Sequence, residues 1–202
     1  MNRNSSEKNV QTILLFLIFT QGSFVIWLLL KDPIGFINYL GFNLQNTGGI
    51  LSWSFALIVA FLYVFSATKI SYVRLNLFKL TKLKYLTLVA ALFAGICEEL
   101  IFRKLLMDYL EKLEYSMTIQ VIISGLAFGI VHLIWGIRDI KAGINAAIST
   151  FILGMALAIV YLLSDRNLAP CIVSHIIITA LIEPGLLLAA ANNKIGYLSE
   201  KA

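Results

Sequence analysis

Charged residues are scarce in this sequence: Asp, Glu, Lys and Arg make up 13% of its 202 residues, whereas hydrophobic residues make up 59% and the mean hydropathy is +0.87. Soluble domains carry about 25% charged residues, so this composition excludes an ordinary soluble protein. A helix needs roughly 20 mostly apolar residues to cross the hydrocarbon core of a bilayer. The chain therefore has room for about six such helices and for no separate soluble domain. We predict an all-α, multi-pass bundle of about six transmembrane helices in the cell membrane.

Cysteine is also scarce, with only Cys97 and Cys171, and both lie within apolar runs. This number and placement exclude a disulfide framework and a C-x-x-C metal pair. The chain has no H-E-x-x-H motif, no internal repeat and no low-complexity linker. One integral membrane domain is the organisation that remains.

Six apolar segments are long enough to span the membrane. They lie at residues 10–30, 49–67, 85–107, 116–136, 144–163 and 168–191. Within the one domain we separate residues 1–84, with two spans and a basic loop, from residues 85–191, with the remaining four. Pro184, in the last span, is expected to kink or end its helix partway through the membrane.

Basic residues predict the orientation. The stretch 68–84 holds no acidic residue and five basic ones, which are Lys69, Arg74, Lys79, Lys82 and Lys84. The positive-inside rule places this loop in the cytoplasm, and alternation then places both termini there. Residues 72–84 alternate basic and apolar side chains, which is typical of a segment lying on an anionic leaflet. Because the basic residues flank apolar segments, we expect membrane lipids as partners and no nucleic acid.

The third span contains three ionisable residues, Glu98, Glu99 and Arg103, in GICEELIFRKLL. Such groups cost several kilocalories per mole in a membrane and are functional by default. Glu99 and Arg103 are four residues apart and can form an ion pair. Glu98 points about 100° away from Glu99 and has no charged partner on its own helix, which suits a general base acting on water. The alternative is a structural polar cluster.

The two histidines of the chain, His132 and His175, each interrupt an apolar helix. A single buried histidine is usually a packing residue. Here both histidines lie in membrane spans, and the chain also has a buried Glu-Glu-Arg cluster, so we favour one shared site. A set of Glu98, His132 and His175 can also hold zinc; we favour a site without metal or other cofactor.

Neighbouring residues add detail to this prediction. Phe128, one turn before His132, is expected to form an apolar wall against its ring. Thr179, one turn after His175, lies within reach of a shared water or substrate. Cys171, one turn before His175, can form a thiol–imidazole dyad with it, although apolar packing of the thiol is favoured.

The glycines Gly125 and Gly129 form a G-x-x-x-G pattern that lets another backbone approach closely. Simple helix packing is the plain interpretation of that pattern.

Together these motifs resemble those of the CPBP family of intramembrane peptidases (CAAX protease and bacteriocin-processing, or Abi), which includes the type II CAAX prenyl endopeptidases. The resemblance covers residues 85–185, with the motifs in the family's order and on separate predicted helices. The matching residues are Glu98, Glu99 and Arg103 for E-E-x-x-x-R, Phe128 and His132 for F-x-x-x-H, Phe151 and Gly154 for F-x-x-G, and His175 for H-x-x-x-N.

The resemblance implies an endopeptidase that hydrolyses a peptide bond of a membrane-associated peptide or protein. It implies that Glu98 activates a water, that the two histidines position the water or stabilise the oxyanion, and that Glu99 with Arg103 holds the arrangement. We expect Phe128 and Thr179 to contact substrate. Thr179 stands where the family usually has asparagine. A threonine hydroxyl can donate or accept one hydrogen bond, but it cannot do both from the separate atoms of a planar amide, as asparagine does.

Two other functions stay open at this point. The Glu and His residues can form a relay in a proton-coupled transporter or channel, or the fold can serve as a catalytically silent immunity or scaffold protein. One estimate also opposes a shared site. Counted from the predicted cytoplasmic helix ends, Glu98 lies roughly 20 Å along its helix and His132 about 6 Å along its own. The two should meet only if boundaries shift, helices tilt or a water-filled cavity closes the gap.

Overall fold

The protein is described by a computed structural model that covers residues 3–43, 47–137 and 140–192. Helices and short connections account for these residues. In chain order the helices are α1 (Arg3–Lys31), α2 (Pro33–Tyr39), α3 (Ile50–Ala67), α4 (Ser71–Asn76), α5 (Lys82–Glu99), a π-helical segment (Leu100–Leu105), α6 (Leu106–Lys112), α7 (Met117–Val131), a 3-10 segment (His132–Ile137), α8 (Ile140–Leu163) and α9 (Ala169–Ala191).

Six helices in the described part of the chain are long and apolar enough to cross a membrane, which confirms the predicted all-α, multi-pass fold. They are Ser6–Lys31, Ile50–Ala67, Lys82–Lys112, Met117–Trp135, Ile140–Leu163 and Ala169–Ala191. The cytoplasmic placement of the termini stays a prediction, and the C-terminus lies outside the described residues.

The third span is longer than the sequence predicted. It runs without interruption from Lys82 to Lys112, which is 31 residues or about 46 Å, whereas the hydrocarbon core is about 30 Å thick. Its middle, Leu100–Leu105, is π-helical. Short π-helical turns within α-helices are rare and often occur at functional sites. Here the turn follows directly after the two glutamates.

Helices α7 and α8 pack closely through glycines, as the G-x-x-x-G pattern predicted. A Cβ on Gly129 would lie 2.8 Å from the carbonyl oxygen of Ala147, and a Cβ on Gly154 would lie 3.0 Å from the Cα of Gly125. No larger residue fits at these positions without separating the helices. The glycines therefore hold the His132 end of α7 against α8.

Helix α9 does not end at Pro184 but continues to Ala191. Of the two expected outcomes, the early end is wrong, and the kink stays a prediction. Residues on both sides of the proline are buried, including Ile182 and Leu187. The backbone of Gly185 also lies against Val73 of α4. Tertiary packing thus holds the helix on both sides of the residue that cannot donate a backbone hydrogen bond.

The basic segment 68–84 is less superficial than the sequence predicted, because Lys84 is 5% exposed. Its ammonium group donates hydrogen bonds to the carbonyl oxygens of Leu77 (2.8 Å) and Leu181 (3.3 Å). The outward-facing apolar side chains Leu75 and Phe78 do agree with a segment lying on lipid. Lys84 therefore ties this segment to α9.

Candidate active site

A cavity of about 570 Å³ lies between the spans and gathers most of the predicted site residues. The predicted residues that line it are Glu98, Phe128, His132, His175 and Thr179. They come from α5, α7, the 3-10 segment and α9. Helices distant in sequence thus bring these side chains to one chamber inside the bundle.

Glu99 and Arg103 lie behind the cavity wall, and both side chains are 0% exposed. Arg103 Nε lies 3.0 Å from Glu99 Oε2, which confirms the predicted ion pair. The N–H is not aligned with that oxygen, so the contact is electrostatic more than a directed hydrogen bond. The guanidinium group also donates to the carbonyl oxygen of Gly154 at 3.3 Å and lies 4.9 Å from the centre of the Phe128 ring.

Glu99 also orients His175, because its Oε1 lies 2.7 Å from His175 Nδ1. A carboxylate paired with a guanidinium can only accept a hydrogen bond, so Nδ1 carries the proton. The Nε2 atom of a neutral His175 then presents a lone pair to the cavity. This is the way that a carboxylate fixes the tautomer of a functional histidine.

Glu98 faces the Nε2 lone pair of His175. Its Oε2 lies 3.7 Å from His175 Nε2, its side chain is 21% exposed, and its Oε1 accepts a hydrogen bond of 3.2 Å from the amide of Gln21. A separation of 3.7 Å is too long for a direct hydrogen bond. It is short enough for one water to contact both atoms.

The ring proton of His132 is also placed by an acceptor at Nδ1, but the partner is different. Its Nδ1 lies 2.7 Å from the carbonyl oxygen of Phe128, and a carbonyl oxygen can only accept. Nδ1 therefore carries a proton, and Nε2 is the atom left for chemistry. The Phe128 ring, 1% exposed, lies 4.7 Å from the His132 ring and 5.8 Å from the His175 ring, measured between centroids. This confirms Phe128 as an apolar wall, now shared by both histidines.

Thr179 and Cys171 occupy different environments on α9. Thr179 is half-buried and lines the cavity one turn after His175. Cys171 is 0% exposed, packs in the apolar core, and donates from its thiol to the carbonyl oxygen of Leu157 at 3.3 Å. His175 Nδ1 is bonded to Glu99, so the geometry favours the packing interpretation of Cys171.

The estimate that Glu98 and His132 lie at different depths in the membrane is wrong. It was counted from the cytoplasmic ends of the two helices, and these ends do not lie at the same depth. A network at the opposite end gives a better origin. Arg166 Nη1 lies 2.8 Å from Asp108 Oδ1, and Arg166 Nη2 lies 2.7 Å from Gln120 Oε1.

From Asp108, Glu98 lies ten residues away, and from Gln120, His132 lies twelve residues away. At 1.5 Å per residue the two depths are about 15 Å and 18 Å. The long third helix simply extends past α7 at its other end.

Sequence reasoning missed several polar residues of the cavity, among them Gln21 and Glu183. Glu183 continues the face of α9 that carries His175 and Thr179, at steps of four residues, and that spacing could have identified it. Gln21 lies in the first span, where one amide among apolar residues has no local partner to mark it. Tyr63 and Ser149 also line the cavity, and their hydroxyls lie 2.8 Å apart.

Among the described residues, no group of three or more His, Cys, Asp or Glu has an arrangement that could hold a metal ion. The Nε2 atoms of the two histidines and the carboxylate of Glu98 are the donors that a zinc ion would need. They face the same cavity without forming a three-ligand cluster.

Comparison with protein families finds a match to the family described as type II CAAX prenyl endopeptidase Rce1-like, over residues 81–181. This range is half of the chain and includes the Glu-Glu-Arg segment, both histidines and Thr179. No curated protein and no solved structure matches the chain. The motif order, the six apolar helices and this match agree, and the chain belongs to the Rce1-like family of type II CAAX prenyl endopeptidases.

Proposed function

We propose that the protein hydrolyses a peptide bond of a membrane-associated peptide or protein, with Glu98 activating a water inside the bundle. The observation that carries the proposal is the meeting of Glu98, His132 and His175 at one cavity. Family membership gives the reaction class, an intramembrane CAAX-type endopeptidase. The roles of individual residues rest on the contacts described above.

In this mechanism, a water donates one hydrogen to Glu98 Oε2 and the other to His175 Nε2, which are 3.7 Å apart. With His175 neutral, both atoms are acceptors, because Glu99 holds its single ring proton on Nδ1. The water oxygen then directs a lone pair toward the substrate carbonyl. As the C–O bond forms, Glu98 takes the proton of the water and later delivers it to the leaving amine while the C–N bond breaks.

His132 is the residue that we assign to the oxyanion. Its Nδ1 proton is used by the Phe128 carbonyl oxygen, so Nε2 donates a hydrogen bond only in the imidazolium form. A cationic donor stabilises developing negative charge strongly in a site with little water. Arg103 with Glu99 keeps His175 in place, and we assign substrate contact to Phe128 and Thr179, which line the cavity.

The test is comparative peptidomics of membranes that contain the wild-type chain or Glu98→Gln. Glutamine keeps the size of the side chain but cannot take a proton from water, so we expect uncleaved precursors to accumulate. Glu114→Gln, at an exposed position between α6 and α7, is the matched control and should leave the peptide pattern unchanged. Identical peptide patterns for wild type and Glu98→Gln would contradict a peptidase.

The same variant separates the alternatives. Proton-driven uptake by wild-type proteoliposomes that is lost in Glu98→Gln would identify a transporter instead. A biological effect of the wild type that survives in Glu98→Gln would identify a silent immunity or scaffold protein.

We further propose that hydrolysis needs no metal ion. Purified protein should then contain no stoichiometric zinc, and a chelator should leave the cleavage rate unchanged. Stoichiometric zinc together with chelator-sensitive cleavage would instead assign Glu98, His132 and His175 as ligands.

A further inference from the structure

Gln21 contacts the proposed base from outside the family-matched region. It lies in α1, 60 residues before the start of the match at residue 81. Its Nε2 donates to Glu98 Oε1 at 3.2 Å. Its own Oε1 is buried and accepts no hydrogen bond from any described residue.

A buried carbonyl oxygen without a donor is unfavourable, since it has lost its water and gained nothing in return. This oxygen belongs to a side chain that lines the cavity beside Glu98. The carboxylate can only accept, so the amide nitrogen must face it and the oxygen must face elsewhere. The Glu98 contact therefore fixes the orientation of the amide, even though this orientation leaves a buried acceptor that pairs with no described residue.

The cavity lacks a planar amide where the family pattern places one, because position 179 is threonine. A threonine hydroxyl offers one donor and accepts through the same oxygen, whereas an amide donates and accepts at separate atoms. Gln21 brings an amide to the same cavity from a different helix, with its nitrogen toward Glu98.

We propose that Gln21 is a positioning residue that supplies the amide function missing at Thr179, a role that rests on the proposed function. Its nitrogen holds Glu98 Oε1, which leaves Oε2 for the water. The contact therefore holds the base in the orientation that the mechanism needs.

Replacing Gln21 with leucine tests this role by removing both hydrogen-bonding atoms while keeping the size. We expect kcat for a peptide identified by peptidomics to fall about 10- to 100-fold, as for other residues that orient a functional group. The thermal midpoint should stay equal or rise, because the buried unpaired oxygen is gone. A merely structural Gln21 would lower the midpoint and the activity together.

Rescue provides the second arm. Thr179→Asn, introduced into Gln21→Leu, should recover about tenfold in kcat relative to Gln21→Leu. Thr20→Val is the matched control on α1: its hydroxyl is exposed and bonds only to its own helix, so the rate should be unaffected.

Two results would overturn the inference: wild-type kcat in Gln21→Leu, or a double variant as slow as the single one. Failure of the proposed function is a separate result, because it would appear as normal cleavage by Glu98→Gln. If Glu98→Gln is inactive and Gln21→Leu cleaves normally, only the role of Gln21 is wrong.

Discussion

Replacing Arg103 with glutamine should be among the most destabilising single changes in the third span. Arg103 and Glu99 are both 0% exposed, with 3.0 Å between Nε and Oε2. Removing one member of a buried pair leaves an uncompensated charge, which costs about 3–5 kcal/mol. The lost contact with the Phe128 ring adds about 0.5–2 kcal/mol. We therefore expect the free energy of unfolding to fall by about 3.5–7 kcal/mol.

The double variant Glu99→Gln/Arg103→Gln distinguishes this reasoning from a general loss of packing. It leaves no buried charge, and replacing a whole buried pair by neutral groups is often nearly neutral in stability. We expect it to recover at least half of the stability lost by Arg103→Gln while remaining inactive, since a neutral amide no longer fixes the tautomer of His175.

Denaturant titration in mixed micelles, followed by tryptophan fluorescence, measures these free energies. Lys104→Gln is the matched control: its side chain is 21% exposed and pairs with Asp108 at 3.5 Å, so it should cost at most about 1 kcal/mol. The reasoning is refuted if Arg103→Gln is as stable as Lys104→Gln, or if the double variant costs the sum of both single changes.

Three further predictions concern packing, anchoring and the nucleophile. Gly129→Ala should cost about 1–3 kcal/mol in unfolding free energy and lower activity, because its Cβ would lie 2.8 Å from a carbonyl oxygen of α8. Gly49→Ala is the control and should cost neither, since a Cβ there has no atom within 4 Å. Equal thermal midpoints of the two variants would contradict close packing. Lys84→Met should lower the thermal midpoint, since the ammonium group of Lys84 donates hydrogen bonds to two backbone carbonyl oxygens. Lys82→Met, at an exposed position, is the control. An equal fall in the midpoint of both variants would contradict the anchoring role of Lys84. Cys171→Ala should keep hydrolysis, measured on purified protein, because the thiol faces the core; an inactive but folded variant would revive the thiol–imidazole dyad.

The membrane spans and one ion pair could be predicted because their signals are local in sequence. Long apolar runs mark the six helices, which begin and end within a few residues of the predicted bounds. A spacing of four residues placed Glu99 beside Arg103. The pairing of His175 with Glu99 was less accessible, since hydropathy and spacing say nothing about which distant helices meet.

The contribution of the first span could not be predicted for the same reason. Gln21 contacts Glu98 across 77 positions of sequence, and a single amide in an apolar run shows no periodic pattern. The relative depth of Glu98 and His132 was also inaccessible, because it depends on how far one helix extends beyond another. Pro184 marked a local break that the packing of α4 against α9 overrides.

The central claim is that Glu98 and His175 act on one water. Its most direct test is the rate of peptide hydrolysis by Glu98→Gln, His175→Ala and the double variant in proteoliposomes. We expect each single change to lower kcat by about 10²–10⁴-fold and the double change to lower it little further, because residues that act as a unit are not additive. Losses that multiply in the double variant, or a Glu98→Gln variant that cleaves at the wild-type rate, would contradict the account.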